Sequence, residues 1–223
     1  MSKPEDLHPT LHSALHLDGS PRAIKQFYAD WADKYEQDTL NWNYAAPANA
    51  LLLMTALKNT AGLSFDPQNR KIQILDAGCG TGFLATLMHR EGYCNIDGFD
   101  ISPDMVAIAA KLGIYRELEG DVDINQPVRD QWKQRYDCTI SVGVFTPGHV
   151  PPGSLIHLVE MTRPGGVVIV STRVAYYESE NYQDTADQLE AAGRIRLLNA
   201  MQNASYTTDE LAHYWVYEVL AKP

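Results

Sequence analysis

One short run of the sequence, LDAGCGTGF over residues 75–83, places a carboxylate just ahead of closely spaced glycines. The acid is Asp76, and the glycines are Gly78, Gly80 and Gly82. A glycine-rich turn between a strand and a helix lets the backbone approach a bound nucleotide or nucleoside closely. A carboxylate at that place repels a phosphate group but attracts an ammonium or sulfonium group. The run therefore predicts a turn that binds a nucleoside whose other end is positively charged.

A second acid, Asp100, ends the run NIDGFD over residues 95–100. An acid at the end of the second strand of an α/β unit can accept hydrogen bonds from both hydroxyls of a ribose. A ligand with an adenosine end and a cationic amino-acid end satisfies Asp76 and Asp100 together, and S-adenosylmethionine is such a ligand. A nucleotide-dependent oxidoreductase is the alternative. Asp76 disfavours it, and so does the G-x-G-x-G spacing, because the dinucleotide turn has two residues before its last glycine.

The apolar patterns around these acids predict an α/β fold. Strand-like and helical runs alternate from residue 71 onward, which indicates a parallel sheet with right-handed crossovers and helices on both faces. The predicted strands cover 71–77, 95–100, 115–119, 136–142, 166–173, 194–205 and 211–223, and the predicted helices cover 82–91, 103–112, 128–133 (weakly) and 154–161. The last two strands are joined by a turn alone and must pair antiparallel. We expect a Rossmann-like, open, seven-stranded sheet, mostly parallel with an antiparallel terminal strand, with ligands at the carboxyl ends of its strands.

The segment before the first strand divides into two parts. Residues 1–20 are polar and predict a flexible N-terminal arm. Ser20 is a suitable N-cap and Pro21 suits the first helical position, so residues 21–65 predict a helical lid. The domain that binds the ligand then covers residues 66–223.

The composition disfavours several classes of protein. The net charge is -10, and affinity for nucleic acid depends on clustered Lys and Arg, so a nucleic-acid partner is disfavoured. No run reaches the roughly 18 apolar residues of a membrane span, and the start of the chain has no secretory pattern, which predicts a soluble, cytoplasmic protein. His8, His12 and His16 recur every four residues, but no Cys or acid completes a metal site, and no metal is expected.

Five stretches follow one another in the order ILDAGCGTGFLATLM, GFDISPDM, EGDV, YDCTISVGVF and MTRPGGVVIVSTR, over about residues 70–173. They resemble the successive motifs of the class I S-adenosylmethionine-dependent methyltransferases. Two more stretches, DWADKYEQD and SVGVFTPGHVPP, resemble more narrowly the methyltransferase-like family named after the Williams-Beuren syndrome chromosome region. This chain has Pro147 where that family has a histidine, which is a difference at the mouth of the substrate site.

The resemblance implies a set of residues that bind the methyl donor. Asp76 would act on the ammonium group of S-adenosylmethionine, and Asp100 would bind its ribose. Asp121 and the backbone of Val122 would reach the amino edge of the adenine. The whole implied set is Asp76, Gly78, Cys79, Gly80, Gly82, Asp100, Ile101, Met105, Gly120, Asp121, Val122, Val142 and Gly143.

Methyl transfer by direct displacement needs no acid, because a neutral thioether leaves, so orientation of the acceptor and exclusion of water carry most of the rate. A base matters only for an acceptor that must lose a proton. His149 is the candidate base, with a turn-capping role as its alternative, and Tyr35 is the second catalytic candidate. Tyr28, Trp31 and Tyr35 share one helix face and could close over the donor, although such a stripe also suits core packing.

The acceptor side has a weaker pattern. Enzymes of this fold that methylate exocyclic amines of bases or glutamine side chains typically have Asn or Asp, two prolines and an aromatic residue after the fourth strand, whereas this chain has GVFT at 143–146. A small molecule is therefore the expected acceptor, and Arg173, Tyr176, Tyr177 and Tyr206 are expected to line its pocket. A non-catalytic donor-binding protein, a protein methyltransferase and a homodimer stay open as alternatives.

Overall fold

The structure is a computed structural model that describes residues 9–57 and 65–221. Its strands are β1 (Ile74–Ala77), β2 (Ile96–Phe99), β3 (Glu117–Glu119), β4 (Tyr136–Phe145), β5 (Thr162–Arg173), β6 (Ile195–Ser205) and β7 (Leu211–Val219). The described residues also form the helices α1 (Pro9–Leu15), α2 (Pro21–Asn41), α3 (Ala46–Ala56), α4 (Phe83–Arg90), α5 (Pro103–Ala110), α6 (Leu155–Met161), α7 (Val174–Ser179) and α8 (Tyr182–Ala191).

The strands form one sheet in the order β3-β2-β1-β4-β5-β7-β6. Strands β1 to β5 pair parallel, and β7 lies antiparallel between β5 and β6. The expected open, mostly parallel, Rossmann-like sheet is thereby confirmed. The strand order reverses between β1 and β4, so the carboxyl ends of β2, β1, β4 and β5 meet along the edge where such sheets bind ligands.

Apolar clusters cover both faces of the sheet. Ile74 and Leu75 belong to different clusters, because consecutive strand side chains point to opposite faces. Helices α3 and α4 cover the face of Ile74, while α6, α7 and α8 cover the face of Leu75. No helix within the described residues combines the length and the apolar character needed to cross a membrane.

The sequence patterns did not predict α7 and α8. Helix α8 buries only Tyr182 and Ala186, so its apolar stripe is too thin to stand out from its polar residues. The weak helix predicted over 128–133 is also wrong, because only a single 3₁₀ turn forms there, at Asp130–Trp132. That turn is held by Trp132, whose ring stacks on Phe99.

The described part of the expected arm, residues 9–20, packs against the domain. It forms α1, buries Ala14 and brings the backbone of Leu17 against Gly148. Gly148 has a φ of +76°, and a Cβ built on it would lie 2.6 Å from the carbonyl oxygen of Leu17, so a side chain would collide there. This segment therefore supports the turn that carries His149.

A buried acid ties three strands together on the β3 side of the sheet. Asp97 of β2 is 2% exposed and accepts hydrogen bonds from Arg116 at 2.9 and 2.7 Å. Arg135 also lies 3.1 Å from its carboxylate, and the hydroxyl of Tyr136 donates to it at 3.2 Å. One carboxylate thus satisfies two guanidinium groups and a buried phenol.

Replacement of Asp97 by Ala should lower the free energy of unfolding by about 2–3 kcal/mol, because the buried Tyr136 hydroxyl loses its acceptor and each arginine loses one anionic partner, although Arg116 keeps Gln73 and Arg135 keeps Glu117. The measurement is urea unfolding followed by circular dichroism. Asp130→Ala is the matched control, since the Asp130 side chain is 96% exposed beside Lys133, and it should leave the midpoint unchanged. Equal midpoint shifts in the two variants would contradict a structural role for Asp97.

Candidate functional site

A cavity opens at the carboxyl ends of β1, β2, β4 and β5, under helix α2. It encloses about 1070 Å³ of empty space, including open solvent at its mouth. The structure brings together residues that the sequence predicted from separate motifs. Those that line the cavity are Tyr28, Trp31, Tyr35, Gly78, Gly80, Asp100, Ile101, Met105, Val122, Val142, Gly143 and His149.

Backbone donors fix the carboxylate of Asp100. This residue directly follows β2 and is 9% exposed. Its Oδ2 accepts the N–H of Gly80 at 2.8 Å, and its Oδ1 accepts the N–H of Ser102 at 2.8 Å. Burial raises the pKa of Asp100, and these backbone hydrogen bonds oppose the rise. Because each carboxylate oxygen can accept more than one hydrogen bond, Asp100 retains acceptor capacity for a pair of hydroxyl groups.

The glycine loop leaves room in front of Asp100. Gly78 and Gly80 have φ angles of +79° and +53°. A Cβ built on Gly78 would lie 2.3 Å from Cγ2 of Val144, whereas a Cβ on Gly80 would meet no atom within 4 Å. Gly78 therefore allows the loop to pack on β4, and Gly80 keeps the cavity free of a side chain. This is the room that a nucleoside needs to approach the backbone closely.

Asp76 does not line the cavity, whereas its charge predicted a position beside the positive group of the ligand. It lies in β1 below the glycine loop, is 2% exposed, and accepts a hydrogen bond from the hydroxyl of Tyr115 at 2.8 Å. Burial raises the pKa of Asp76 to about 7, which the Tyr115 hydrogen bond opposes and the charge of Asp100 reinforces. Asp76 therefore supports the loop from below, and no local pattern in the sequence pointed to Tyr115 as its partner.

Three other predicted residues also lie behind the cavity wall. Cys79 is 7% exposed, and burial raises the pKa of its thiol, so the thiol stays protonated. Gly82 is the N-terminal cap of α4. Gly120 packs against Pro103, since a Cβ built on it would lie 2.9 Å from Cα of Pro103. These positions shape the loops and do not form the cavity surface.

Asp121 lies outside the cavity. Its side chain is 70% exposed and pairs with Lys25 of α2. The next two residues, Val122 and Asp123, line the cavity in its place. The structure places the Asp121 carboxylate at the surface beside Lys25, so its expected contact with an adenine stays a prediction.

Helix α2 forms the roof of the cavity. The side chain of Ser20 accepts a backbone N–H three residues on at 3.2 Å, with Pro21 at the first helical position, as predicted. The rings of Trp31 and Tyr35 meet edge to face with centroids 4.8 Å apart, and Tyr28 completes the stripe. Burial raises the pKa of the Tyr28 and Tyr35 hydroxyls, so both remain hydrogen-bond donors at neutral pH.

The imidazole of His149 is held at both nitrogens. Its Nδ1 lies 3.0 Å from the carbonyl oxygen of Pro147, and its Nε2 lies 2.9 Å from the Tyr28 hydroxyl. A carbonyl oxygen only accepts, so Nδ1 carries the proton and Nε2 accepts from Tyr28. Burial lowers the pKa of His149 to about 4, the Pro147 carbonyl opposes this, and the charge of Arg173 adds to it. The ring is therefore neutral at pH 7.

The far end of the cavity is formed by Arg173, at the end of β5, and by Tyr206. Both were expected on the acceptor side. Tyr176 and Tyr177 were also expected there, and the cavity wall includes neither of them. Tyr176 is buried in the core, and Tyr177 stacks on Trp215 at 5.5 Å between centroids. The unpredicted helix α7 directs both tyrosines away from the cavity.

Several cavity residues had no signal in the sequence, because they lie in connections whose positions depend on the tertiary fold. They are Trp42, Tyr44, Asp123, Asn125, Thr146 and Thr207. Tyr44, between α2 and α3, places its ring 5.1 Å from that of Tyr206. Among residues 9–57 and 65–221, no group of three or more His, Cys, Asp or Glu side chains is arranged to hold a metal ion.

Comparison with known proteins identifies the family of this chain. Residues 51–218 match a family profile described as a methyltransferase domain. Over 170 residues the chain is 32% identical to Methyltransferase-like protein 27 of Homo sapiens, which covers 75% of this chain and 66% of the relative. Over 144 residues it is 30% identical to the malonyl-[acyl-carrier protein] O-methyltransferase of Pectobacterium atrosepticum. That alignment covers 63% of this chain and 55% of the relative.

A solved structure shares the fold. Magnesium protoporphyrin IX methyltransferase from Synechocystis, with bound S-adenosylmethionine, aligns at a TM-score of 0.60 and 16% identity over 88% of this chain and 97% of that chain. The chain spans between about half and two thirds of the length of the two curated relatives, so their substrates do not transfer to it directly. The profile match runs from α3 into β7 and includes the glycine loop and Asp100. The chain belongs to the methyltransferase domain family, and its fold and motifs are those of the class I S-adenosylmethionine-dependent methyltransferases.

Proposed function

We propose that this protein transfers the methyl group of S-adenosylmethionine to a small-molecule acceptor by direct displacement. The observation that carries the proposal is the fixed carboxylate of Asp100, which stands beside the glycine loop where the strand order reverses. That arrangement suits the two hydroxyls of a ribose. When it is bound, S-adenosylmethionine supplies an electrophilic methyl group on a sulfonium ion.

The residues of the cavity fit each part of this donor. Ile101 and Met105 offer apolar contacts to an adenine, and Asp100 offers acceptors to a ribose. The loop at Gly80 leaves space for the amino-acid portion. The aromatic ring of Trp31 in the roof suits a nearby cation, because the face of an aromatic ring is electrostatically negative.

A small molecule suits the acceptor side better than a macromolecule does. Helix α2 covers the cavity from one side, and the turn between β6 and β7, residues 206–210, borders it on the other. The net charge of -10 disfavours a nucleic acid. The bacterial relative is named a malonyl-[acyl-carrier protein] O-methyltransferase; that name is consistent with an oxygen as the atom that receives the methyl group, although the acceptor it names is carried on a protein.

His149 provides a base for an acceptor that must lose a proton. A hydroxyl that donates to Tyr28 can pass its proton on through the Tyr28 hydroxyl to Nε2 of His149. The low pKa of His149, about 4, keeps the ring unprotonated at neutral pH but makes it a weak base. Its contribution should therefore fall at the lower end of the range for general bases, about 10²-fold.

Wild-type protein should gain thermal stability with S-adenosylhomocysteine and none with NAD. At a ligand concentration 100 times Kd, the stabilisation amounts to about 2.7 kcal/mol. Asp100→Asn should weaken S-adenosylhomocysteine binding by about tenfold or more, because hydrogen bonds to a charged group contribute about 1.5–3 kcal/mol. Differential scanning fluorimetry and isothermal titration calorimetry measure both effects.

Asp104→Asn is the matched control for Asp100→Asn, because it removes the same charge from an exposed position in the first turn of α5. Its affinity for S-adenosylhomocysteine should equal that of the wild type. Stabilisation by NAD instead, or an Asp100→Asn variant that binds as well as the wild type, would overturn the donor assignment.

Incubation with methyl-labelled S-adenosylmethionine and pooled metabolites should yield a labelled product. His149→Gln should slow this transfer by about 10²-fold, because the base is lost, and should change S-adenosylhomocysteine affinity less than about twofold. His89→Gln, at an exposed position on α4, should transfer at the wild-type rate. Donor binding without any labelled product would favour the non-catalytic alternative, and a His149→Gln variant at full rate would exclude His149 as the base.

His149 should also make the protein less stable in acid. Its pKa is about 4 in the folded protein against 6.5 for an unperturbed histidine, so the unfolded chain binds more protons between these values. Stability should therefore fall as the pH drops from about 6.5 to 4, by about 3 kcal/mol in total. Urea unfolding of the wild type and of His149→Gln at a series of pH values measures this contribution.

The wild type must be compared with the variant because Asp76 has the opposite effect on stability as the pH falls. Its pKa is raised to about 7, so the folded protein binds more protons than the unfolded chain as the pH falls from 7 toward 3.8, and stability rises. This effect is common to both proteins and cancels in their difference. A stability difference between the two proteins that stays constant from pH 7 to 4 would contradict a buried neutral His149.

A further inference from the structure

An ion pair closes the cavity at its far end. Arg173 is 4% exposed, and its guanidinium contacts the carboxylate of Glu210 in the β6–β7 turn. The same guanidinium lies 5.3 Å from the centroid of the Tyr206 ring, and its Nη1 lies 3.4 Å from the hydroxyl of Thr146. A cation this deeply buried requires an anionic partner, because the loss of its hydration is unfavourable.

The ion pair leaves hydrogen-bonding capacity unused. Nη2 of Arg173 contacts one carboxylate oxygen of Glu210, while the other oxygen, Oε2, is buried and has no hydrogen-bond partner among the described residues. Buried polar groups of folded proteins nearly always have a partner, so this ion pair does not use the full hydrogen-bonding capacity of its two side chains. Arg173 is also a lining residue of the cavity, so a ligand can reach it.

The position of Arg173 in the sheet separates it from the donor side. Asp100 follows β2 and Gly78 follows β1, while Arg173 ends β5 on the far side of β4. With neighbouring strands about 4.8 Å apart, the three spacings from β2 to β5 put about 14 Å between Asp100 and Arg173 along the edge of the sheet. Arg173 therefore faces the part of the cavity beyond the donor.

Building on the proposed function, we infer that Arg173 binds a carboxylate of the methyl acceptor, and that Glu210 occupies the guanidinium until the acceptor arrives. The Glu210 carboxylate demonstrates that a carboxylate can sit at this guanidinium. Its side chain is less buried than that of Arg173, 13% against 5% exposed, and it belongs to a turn, so it is the partner that can move aside. If Glu210 did not move, its carboxylate and that of the acceptor would repel each other at the Arg173 guanidinium.

The walls between Arg173 and the donor side define the body of this acceptor. Tyr28, Tyr44 and Tyr206 line that part of the cavity, and the hydroxyl of Tyr44 lies close to Gly143 of β4. Aromatic walls favour an aromatic or apolar body, with its acid group against Arg173. The acceptor class is therefore a small carboxylic acid with an aromatic or apolar body.

The test compares carboxylates with their uncharged amides on protein saturated with S-adenosylhomocysteine. The probes are benzoate, phenylacetate and 3-phenylpropanoate with benzamide, phenylacetamide and 3-phenylpropanamide, measured by calorimetric titration. At least one acid should bind about tenfold or more tightly than its amide. Arg173→Gln should abolish that preference and keep S-adenosylhomocysteine affinity within about twofold. Glu210→Gln should raise the affinity for the acid several-fold, because the competing carboxylate is removed.

Arg196→Gln is the matched control, since the 58% exposed Arg196 pairs with Glu218 across β6 and β7 and does not line the cavity, and it should leave every affinity unchanged. A purely structural Arg173–Glu210 pair predicts that both variants lose thermal stability and that neither changes the preference for acids, which would overturn the inference. So would a wild type in which no acid binds more tightly than its amide.

The donor also has a carboxylate, which gives one more competing outcome. If Arg173→Gln weakens S-adenosylhomocysteine but not 5′-methylthioadenosine, which lacks the amino-acid portion, Arg173 binds the donor and the inference is overturned. Failure of the wild type to bind S-adenosylhomocysteine is a different result, since it contradicts the proposed function. In that case the acid and amide titrations are run on the protein alone, where the same preferences decide whether Arg173 is a carboxylate site.

Discussion

The contact of the Asp100 carboxylate with two backbone N–H groups is the interaction on which the site depends. One N–H belongs to Gly80 in the loop after β1, and the other belongs to Ser102 ahead of α5. Ser102 in turn caps α5 by accepting the N–H of Met105 at 3.3 Å. A single side chain thus couples two neighbouring strand–helix units, and the shape of the glycine loop follows from that coupling. The shape of the cavity wall at this point therefore depends on the position of the Asp100 carboxylate.

The donor side concentrates negative charge in a buried place. Asp76 and Asp100 are both buried, burial raises the pKa of each, and the charge of Asp100 raises that of Asp76 further. Such pairs are costly for folding and are found where function requires them. Of these two acids only Asp100 lines the cavity, while the hydroxyl of Tyr115 satisfies Asp76 behind the cavity wall.

The sheet could be predicted from the sequence, because the alternation of strands and helices is a local pattern that each segment carries independently. The positions of Gly78 and Asp100, which directly follow β1 and β2, could be predicted for the same reason. The orientation of an individual side chain did not follow. Asp76 pairs with Tyr115 behind the cavity wall and Asp121 pairs with Lys25 at the surface, and both partners lie far from these acids in the sequence. Contacts of that kind depend on the packed tertiary structure, which no local pattern encodes.

The two walls of the proposed acceptor pocket come from segments that flank the glycine loop and Asp100 in the chain. Helix α2 precedes β1, and the β6–β7 turn follows β5, while the glycine loop and Asp100 lie between them. Changes in the β6–β7 turn can therefore reshape the proposed acceptor pocket while the glycine loop and Asp100 stay as they are. Related proteins with this arrangement are free to diverge in what they methylate while the source of the methyl group stays fixed, so acceptor specificity can evolve faster than cofactor use.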